Sequence, residues 1–413
     1  MRTMPVPVSA GGPHSRMESM VPDRITAMRR FLPGWCLALA FCVPPAMADD
    51  VVFADGFEQA RWVAGYYVGY ERDLLAPADI DFRAVTHLVV GRVRPLAGGG
   101  VSNDFDIDPT NGPAFAQAAV AAAHAAGRRA ILMVGGAGEV DGWRNAASAA
   151  NRATFVAHLL ARMDEHGADG LDLDWEPLEP GDQPAFKAVA QALRAIRPGL
   201  VLTVPVGWFN PNYMQPDPFW GEVAPLFDRI NIMTYDMAGA AAQGWTGWRS
   251  WHNSALWNTD PPTPSTPSAV DVSVRLGFLP AGVPRAKLGI GLAFYGYCWQ
   301  GVTGPGQEGG LVAASDGTMS YRTLVTDYPL AATRQWDALA RVPYLSSATP
   351  IGPAACNFVS YDDAASVAEK ADYARSQGLG GVILWTLGQG HLPWAPAGER
   401  DPLLDAVRTR YLP

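Results

Sequence analysis

The sequence predicts an α/β fold: a (β/α)8 TIM barrel with a small inserted subdomain after its seventh strand. Three observations predict it. Eight short apolar runs follow one another from Trp62 onward, several of them rich in β-branched residues. Their near-continuous apolarity suits strands buried on both faces of a parallel sheet. Helical stretches separate them, and that alternation is the pattern of successive β/α units. Eight such units need about 250 residues, and the 413-residue chain accommodates them with a surplus.

The predicted strands are 63–69, 86–93, 130–135, 170–175, 200–206, 230–235, 288–295 and 381–387. Four of the intervening helices are the most legible. Residues 113–127 are Ala-rich and end at a glycine. Residues 151–167 carry Phe155, Leu159, Leu160 and Met163 at helical spacing. Residues 183–197 carry Phe186, Val189 and Leu193, and residues 367–378 again end at a glycine. The surplus lies in two places. Residues 239–267 form a Trp-, Gly- and Pro-rich loop. Residues 299–358 are too long for a plain connection and read as the inserted subdomain.

The start of the chain reads as targeting sequence. Arg29 and Arg30 precede an apolar run over 31–43, and Ala46-Met47-Ala48 follows as a small-x-small cleavage pattern. Residues 1–48 are thus taken as an N-terminal extension and signal peptide, with Met28 a candidate start. Residues 49–61 are a leader without an assigned role. The catalytic barrel spans 62–398, and 399–413 is set apart as a C-terminal tail. The apolar run is too short to span a bilayer, and Phe41 is too bulky to precede a lipoprotein cysteine. The expected product is a secreted protein, extracellular or periplasmic in transit, with no membrane association after cleavage.

Hydrophobic residues make up 48% of the chain and charged residues 17%, which supports a sizeable core. The net charge of -9 opposes nucleic-acid binding and suits a neutral substrate. Cys36 and Cys42 depart with the signal. Cys298 and Cys356 remain at the two ends of the insertion, and in an oxidising compartment they are a disulfide candidate, with two buried thiols as the alternative.

The chemistry concentrates in Asp169-Gly170-Leu171-Asp172-Leu173-Asp174-Trp175-Glu176. Strand side chains alternate faces, so Leu171, Leu173 and Trp175 share one face and Asp172, Asp174 and Glu176 the other. In a barrel the second face points inward. Three inward carboxylates oppose folding unless they are hydrogen-bonded or protonated, and like-charge strain of this kind marks function. Glu176 falls at the C-terminal strand end, where barrel active sites lie. Partial burial beside Asp174 would keep it protonated, as a general acid requires. A divalent metal is the weaker reading, since histidines are absent nearby and the spacing does not match a calcium loop.

Asp169-x-x-Asp172-x-Asp174-x-Glu176 resembles the signature of family-18 chitinases. Met133-Val134-Gly135-Gly136, Met233-Thr234-Tyr235-Asp236 and Phe294-Tyr295-Gly296 resemble further family motifs, in the family's order. So do Ser360-Tyr361-Asp362-Asp363 and the run from Gly381 to Trp385. The resemblance extends from about Trp62 to about Trp394. It implies an α+β insertion after the seventh strand and hydrolysis of β-1,4-linked N-acetylglucosamine polymers, chitin and its oligosaccharides. It implies substrate-assisted retention, with Glu176 as acid and Asp174, Asp172 and Tyr235 as its catalytic partners. Tyr66, Asp169, Met233, Asp236 and Trp385 would line the substrate site. For Tyr66 a core role is an equal alternative. No cofactor or metal is implied, and a monomer is expected.

Three positions depart from the family pattern: Arg92 where an aromatic is frequent, Ala137 where many relatives carry Trp, and Tyr297 in place of Arg. Trp245, Trp248, Trp251 and Trp257 crowd the sixth loop, where they either stack on sugar rings or pack the loop against the insertion. Two other functions share the resemblance: an endo-β-N-acetylglucosaminidase acting on N-glycans, and a chitin-binding lectin without activity.

Overall fold

The computed structural model describes residues 61–238, 248–258 and 268–412. The targeting segment, nearly all of the leader, Trp245 and the Pro-rich part of the sixth loop lie outside the described residues.

Eight parallel strands close into a barrel in the order β1-β13-β7-β6-β5-β4-β3-β2. They are β1 (Trp62–Val68), β2 (His87–Val93), β3 (Arg129–Ala137), β4 (Gly170–Glu176), β5 (Val201–Gly207), β6 (Arg229–Met233), β7 (Leu288–Ala293) and β13 (Gly381–Trp385). Each coincides with a predicted run. The strands are buried almost throughout, which is why the sequence reads as unbroken apolar stretches rather than as alternation.

The helices form the outer layer. The Ala-rich helix Asn111–Ala125 buries Ala116, Ala119 and Ala123, and their small side chains let it approach β2 and β3 closely. Arg152–His166 stops at Gly167, whose φ of 69° ends the helix in the left-handed region that glycine adopts freely. Ala364–Ser376 starts with a reciprocal cap between Asp363 and Ser366.

The insertion is an antiparallel sheet with strand order β10-β11-β12-β8-β9. Its strands are β8 (Tyr297–Gln300), β9 (Leu311–Ala314), β10 (Arg334–Asp337), β11 (Val342–Ile351) and β12 (Cys356–Ser360). Helix Tyr321–Asp327 completes it, capped by the Ser320 hydroxyl. The sheet thus begins and ends just outside 299–358. Cys298 and Cys356 are bonded to each other, with Cα atoms 5.3 Å apart, and join β8 to β12. Asp362, directly after β12, holds Lys370 in a buried ion pair, Nζ to Oδ1 2.6 Å and to Oδ2 2.7 Å. The Ser254 hydroxyl accepts a third bond at 2.8 Å.

One expectation is corrected and one open alternative is decided for two residues. Residues 399–413 are no tail: helix Pro402–Arg410 buries Leu403, Leu404 and Val407, and the Tyr411 hydroxyl donates to the Leu379 carbonyl at 2.8 Å. This closing helix was missed because its apolar residues are few and sit past the last strand. Among the sixth-loop tryptophans, Trp248 stacks on Trp299 of the insertion at 4.9 Å. Trp251 is buried, with its Nε1 donating to the Ser268 carbonyl. Trp257 sets its edge against Tyr373. Trp248 and Trp251 pack the loop, while Trp257 touches Tyr373 and stays 37% exposed.

Candidate active site

β4 carries the acids as its alternation requires. Leu171, Leu173 and Trp175 face the helix layer and are buried there, with Trp175 stacked on Trp143 at 5.1 Å. Asp172, Asp174 and Glu176 ascend the inner face. Register sets Met133, Gly135 and Ala137 of β3 beside them in turn, and Thr203 of β5 beside Asp172.

The three carboxyls differ by depth. Asp172 lies lowest and fully buried. It accepts from the Tyr66 hydroxyl at 2.7 Å and from the Thr203 hydroxyl. Burial pushes it up to about 6 despite these two donors. Asp174 is also buried, and its Oδ1 has no partner among the described residues. Burial, then Glu176 and Asp172 as like charges, push its carboxyl well above the carboxylate range, while the Arg92 guanidinium opposes them. Glu176 is partly exposed at the cavity wall. Burial raises it first, and the Asp236 carboxylate raises it further. The Asp236 carboxylate thus joins Asp174, with which Glu176 interacts, as a like charge at the acid.

Above the acids opens a cavity of about 340 Å³, lined by Asp174, Glu176, Met233, Tyr235, Asp236 and Trp385 among others. Tyr235 is buried, and burial followed by Asp236 keeps its phenol protonated as a donor. Asp236 has a left-handed φ of 58°, and its backbone N–H donates to Asn253 Oδ1 at 2.8 Å. Its carboxylate accepts from the Tyr295 hydroxyl at 2.6 Å and also from Tyr297. Gly135 on β3 is required by close approach. A Cβ on Gly135 would meet Trp143 Nε1 at 2.2 Å and the Asp174 carbonyl at 2.3 Å. That gap lets Trp143 Nε1 donate to the Asp174 carbonyl at 2.9 Å and fix the strand.

Two predicted site residues lie elsewhere. Asp169 precedes β4, at the opposite end of the barrel. Its Oδ2 accepts from the Ala130 N–H at 2.8 Å and meets His124 Nε2 at 2.9 Å. It ties strand to helix and does not line the cavity, which corrects its assignment to substrate. Tyr66 lies beneath the cavity, between Asp172 and Trp385, whose ring is 5.2 Å away.

Residues that sequence reasoning passed over include Thr203, Tyr70, Ser315 and Asp316. Thr203, a polar residue inside a buried strand, was a usable signal. Asp316 had none: the insertion carries it onto the site. There its Oδ1 accepts from Gln389 Nε2 at 2.9 Å and lies 3.3 Å from Trp385 Nε1. Arg92 is the one cation among the described lining residues. Its guanidinium is held by Asp106 at 2.7 Å and by the Gly135 carbonyl at 3.0 Å. No group of three His, Cys, Asp or Glu suited to a metal occurs among the described residues.

The family model described as glycosyl hydrolases family 18 matches residues 63–390. The chain belongs to this family. As a family-18 member it is similar to chitinase A1 of Niallia circulans, 32% identical over 298 residues, covering 63% of this chain and 40% of that protein. It is similar to chitinase B of Serratia marcescens at 29% identity, with 58% of each chain covered. The chain thus spans about half the length of the curated relatives it matches. Among solved structures it resembles the Ostrinia furnacalis Group IV chitinase in complex with allosamidin. That likeness has a TM-score of 0.71 at 27% identity, with 84% of this chain and 98% of that one covered.

Proposed function

We propose that this family-18 chain is a secreted, monomeric chitinase that hydrolyses β-1,4-linked N-acetylglucosamine chains by substrate-assisted retention. The observation that carries the reading is Asp174 Oδ1, a buried acceptor without a partner beside a cavity that also holds a raised Glu176. Buried acceptors are rarely left unpaired, and an acetamido N–H is the donor a chitin sugar supplies. Glu176 donates its proton to the glycosidic oxygen as the C1–O bond breaks. The acetamido carbonyl oxygen of the same sugar closes on C1, which gives an oxazolinium ion. Asp174 accepts the acetamide N–H and offsets the positive charge. Tyr235 donates to the acetamide oxygen, and Trp385 forms the floor beneath the ring. Water then opens the ion with Glu176 as base, so configuration is retained. Asp172 supports Asp174 from below, held by Tyr66 and Thr203.

The test compares chitotetraose and chitohexaose with a high-mannose glycopeptide, in the wild type and in Glu176→Gln. Oligomer cleavage lowered about 10²–10⁴-fold or more in the variant, with binding retained, is expected. Cleavage of the glycopeptide alone would move the chain to the endo-β-N-acetylglucosaminidases. Full turnover by Glu176→Gln would refute the acid.

A further inference from the structure

Two neighbouring residues of the sixth loop bracket Tyr235. On one side the Ser254 hydroxyl donates to the Thr234 carbonyl at 2.6 Å. On the other, the Asp236 N–H donates to Asn253 Oδ1 at 2.8 Å, and the Met237 N–H donates to the Asn253 carbonyl at 3.1 Å. Asp236 has its left-handed φ of 58° there, a conformation that a residue other than glycine keeps only where its surroundings fix it. Asn253 is buried and uses both ends of its amide at the site. Its Nδ2 donates to the Tyr295 carbonyl at 3.2 Å, and the Tyr295 hydroxyl in turn donates to the Asp236 carboxylate. Asn253 thus grips the backbone of Asp236 and the backbone of the tyrosine that holds its side chain. It is itself anchored from outside the cavity. Its N–H donates at 2.8 Å to the hydroxyl of Ser360, the last residue of β12. His252, just before it, is buried and meets Asp337 Oδ2 of β10 at 3.0 Å. Ser254, just after it, accepts from Lys370. His252, Asn253 and Ser254 do not line the cavity.

We propose that Asn253 is a positioning residue of the reaction: it fixes the backbone of Asp236, and so aims that carboxylate and the Tyr235 phenol at the cavity from a loop fastened to the insertion. The inference rests on Glu176 being the proton donor. Asp236 is faced by the hydroxyls of Tyr295 and Tyr297 and by the Asp316 carboxylate. Glu176 is faced by Asp174 and Asp236, and Tyr235 lies against all three acids. Profiles of kcat/KM against pH on chitotetraose test the proposal, using the full chain as wild type, Asn253→Ala, Asp236→Asn and the double variant. The alkaline limb reports the proton on Glu176. Asn253→Ala should move that limb to lower pH, the direction in which loss of the Asp236 charge acts, and lower kcat about tenfold or more. In the Asp236→Asn background the same substitution should leave the limb where it is, because the carboxylate it aims is gone. Asn253→Ser serves in its place should Asn253→Ala not fold. A limb at its wild-type pH in the folded variant, with stability alone reduced, would make Asn253 structural; it would overturn this inference and leave the proposed function standing. A further shift in the double variant, or no shift from Asp236→Asn, would break the route through Asp236 and overturn it as well. If the wild type leaves chitotetraose uncut, the proposed function fails and this inference fails with it.

Discussion

Asp172 offers a test of the acidic column that does not depend on turnover. Its carboxyl rises from 3.8 to about 6 on folding because burial outweighs the hydrogen bonds from Thr203 and Tyr66. A shift of roughly two units corresponds to ~3 kcal/mol. The folded state binds the proton more tightly than the unfolded chain. The stabilisation is therefore complete below pH 3.8, declines as pH rises, and is lost above about 6. Asp172→Asn removes the titration. The substitution also relieves Asp174 of one like charge, which acts in the same direction. Urea unfolding of both proteins at pH 4, 5, 6 and 7 supplies the comparison. The stability of the wild type relative to Asp172→Asn should fall by about 2.4 kcal/mol across that range. Replacing Asp by Asn also costs a hydrogen bond, but that cost does not vary with pH. A difference that stays constant from pH 4 to 7 would refute the burial argument, and with it the idea that this column is strained in the folded state.

Further outcomes follow from other contacts. Asp236→Asn removes the carboxylate that raises Glu176, so the acid loses its proton sooner; the alkaline limb of the kcat/KM profile should move to lower pH, and an unmoved limb would contradict the coupling. Lys370→Met leaves Asp362 buried without its cation and should cost about 3–5 kcal/mol in chemical denaturation; a loss under about 1 kcal/mol would mean the pair is solvated. Cys298→Ser opens a loop with a sequence separation of 58. It should destabilise by about 4 kcal/mol against the oxidised protein and much less when both are reduced. An equal loss in both conditions would argue that Cys298 acts through packing alone.

What could be read from the sequence was whatever a local repeat encodes. The eight strands appear as apolar runs because each is buried on both faces, and Asp172, Asp174 and Glu176 appear as one inward column because strand side chains alternate. The ends of the insertion were marked by its two cysteines. Asp169 belongs to the same acidic string, yet it lies three residues below Asp172 and so at the far end of the barrel, where it caps backbone instead of meeting substrate. Periodicity assigns a face, but position along the strand axis relative to the cavity depends on how all eight strands are staggered. The same limit hid Asp316, which is distant in sequence from every acid on β4 and reaches Trp385 only because the insertion folds back over the barrel. It also concealed a second like charge at Glu176: Asp174 is its neighbour on β4, while Asp236 arrives from just past the end of β6 through closure of the sheet. Trp248 and Trp251 show the same limit, since composition left stacking on sugar and packing of the loop as equal alternatives and only tertiary contacts with Trp299 and Ser268 decided for packing. Local pattern follows from the chain's own stereochemistry. Contacts between distant segments follow from closure and packing, and those decided the depth, charge and partners of each site residue.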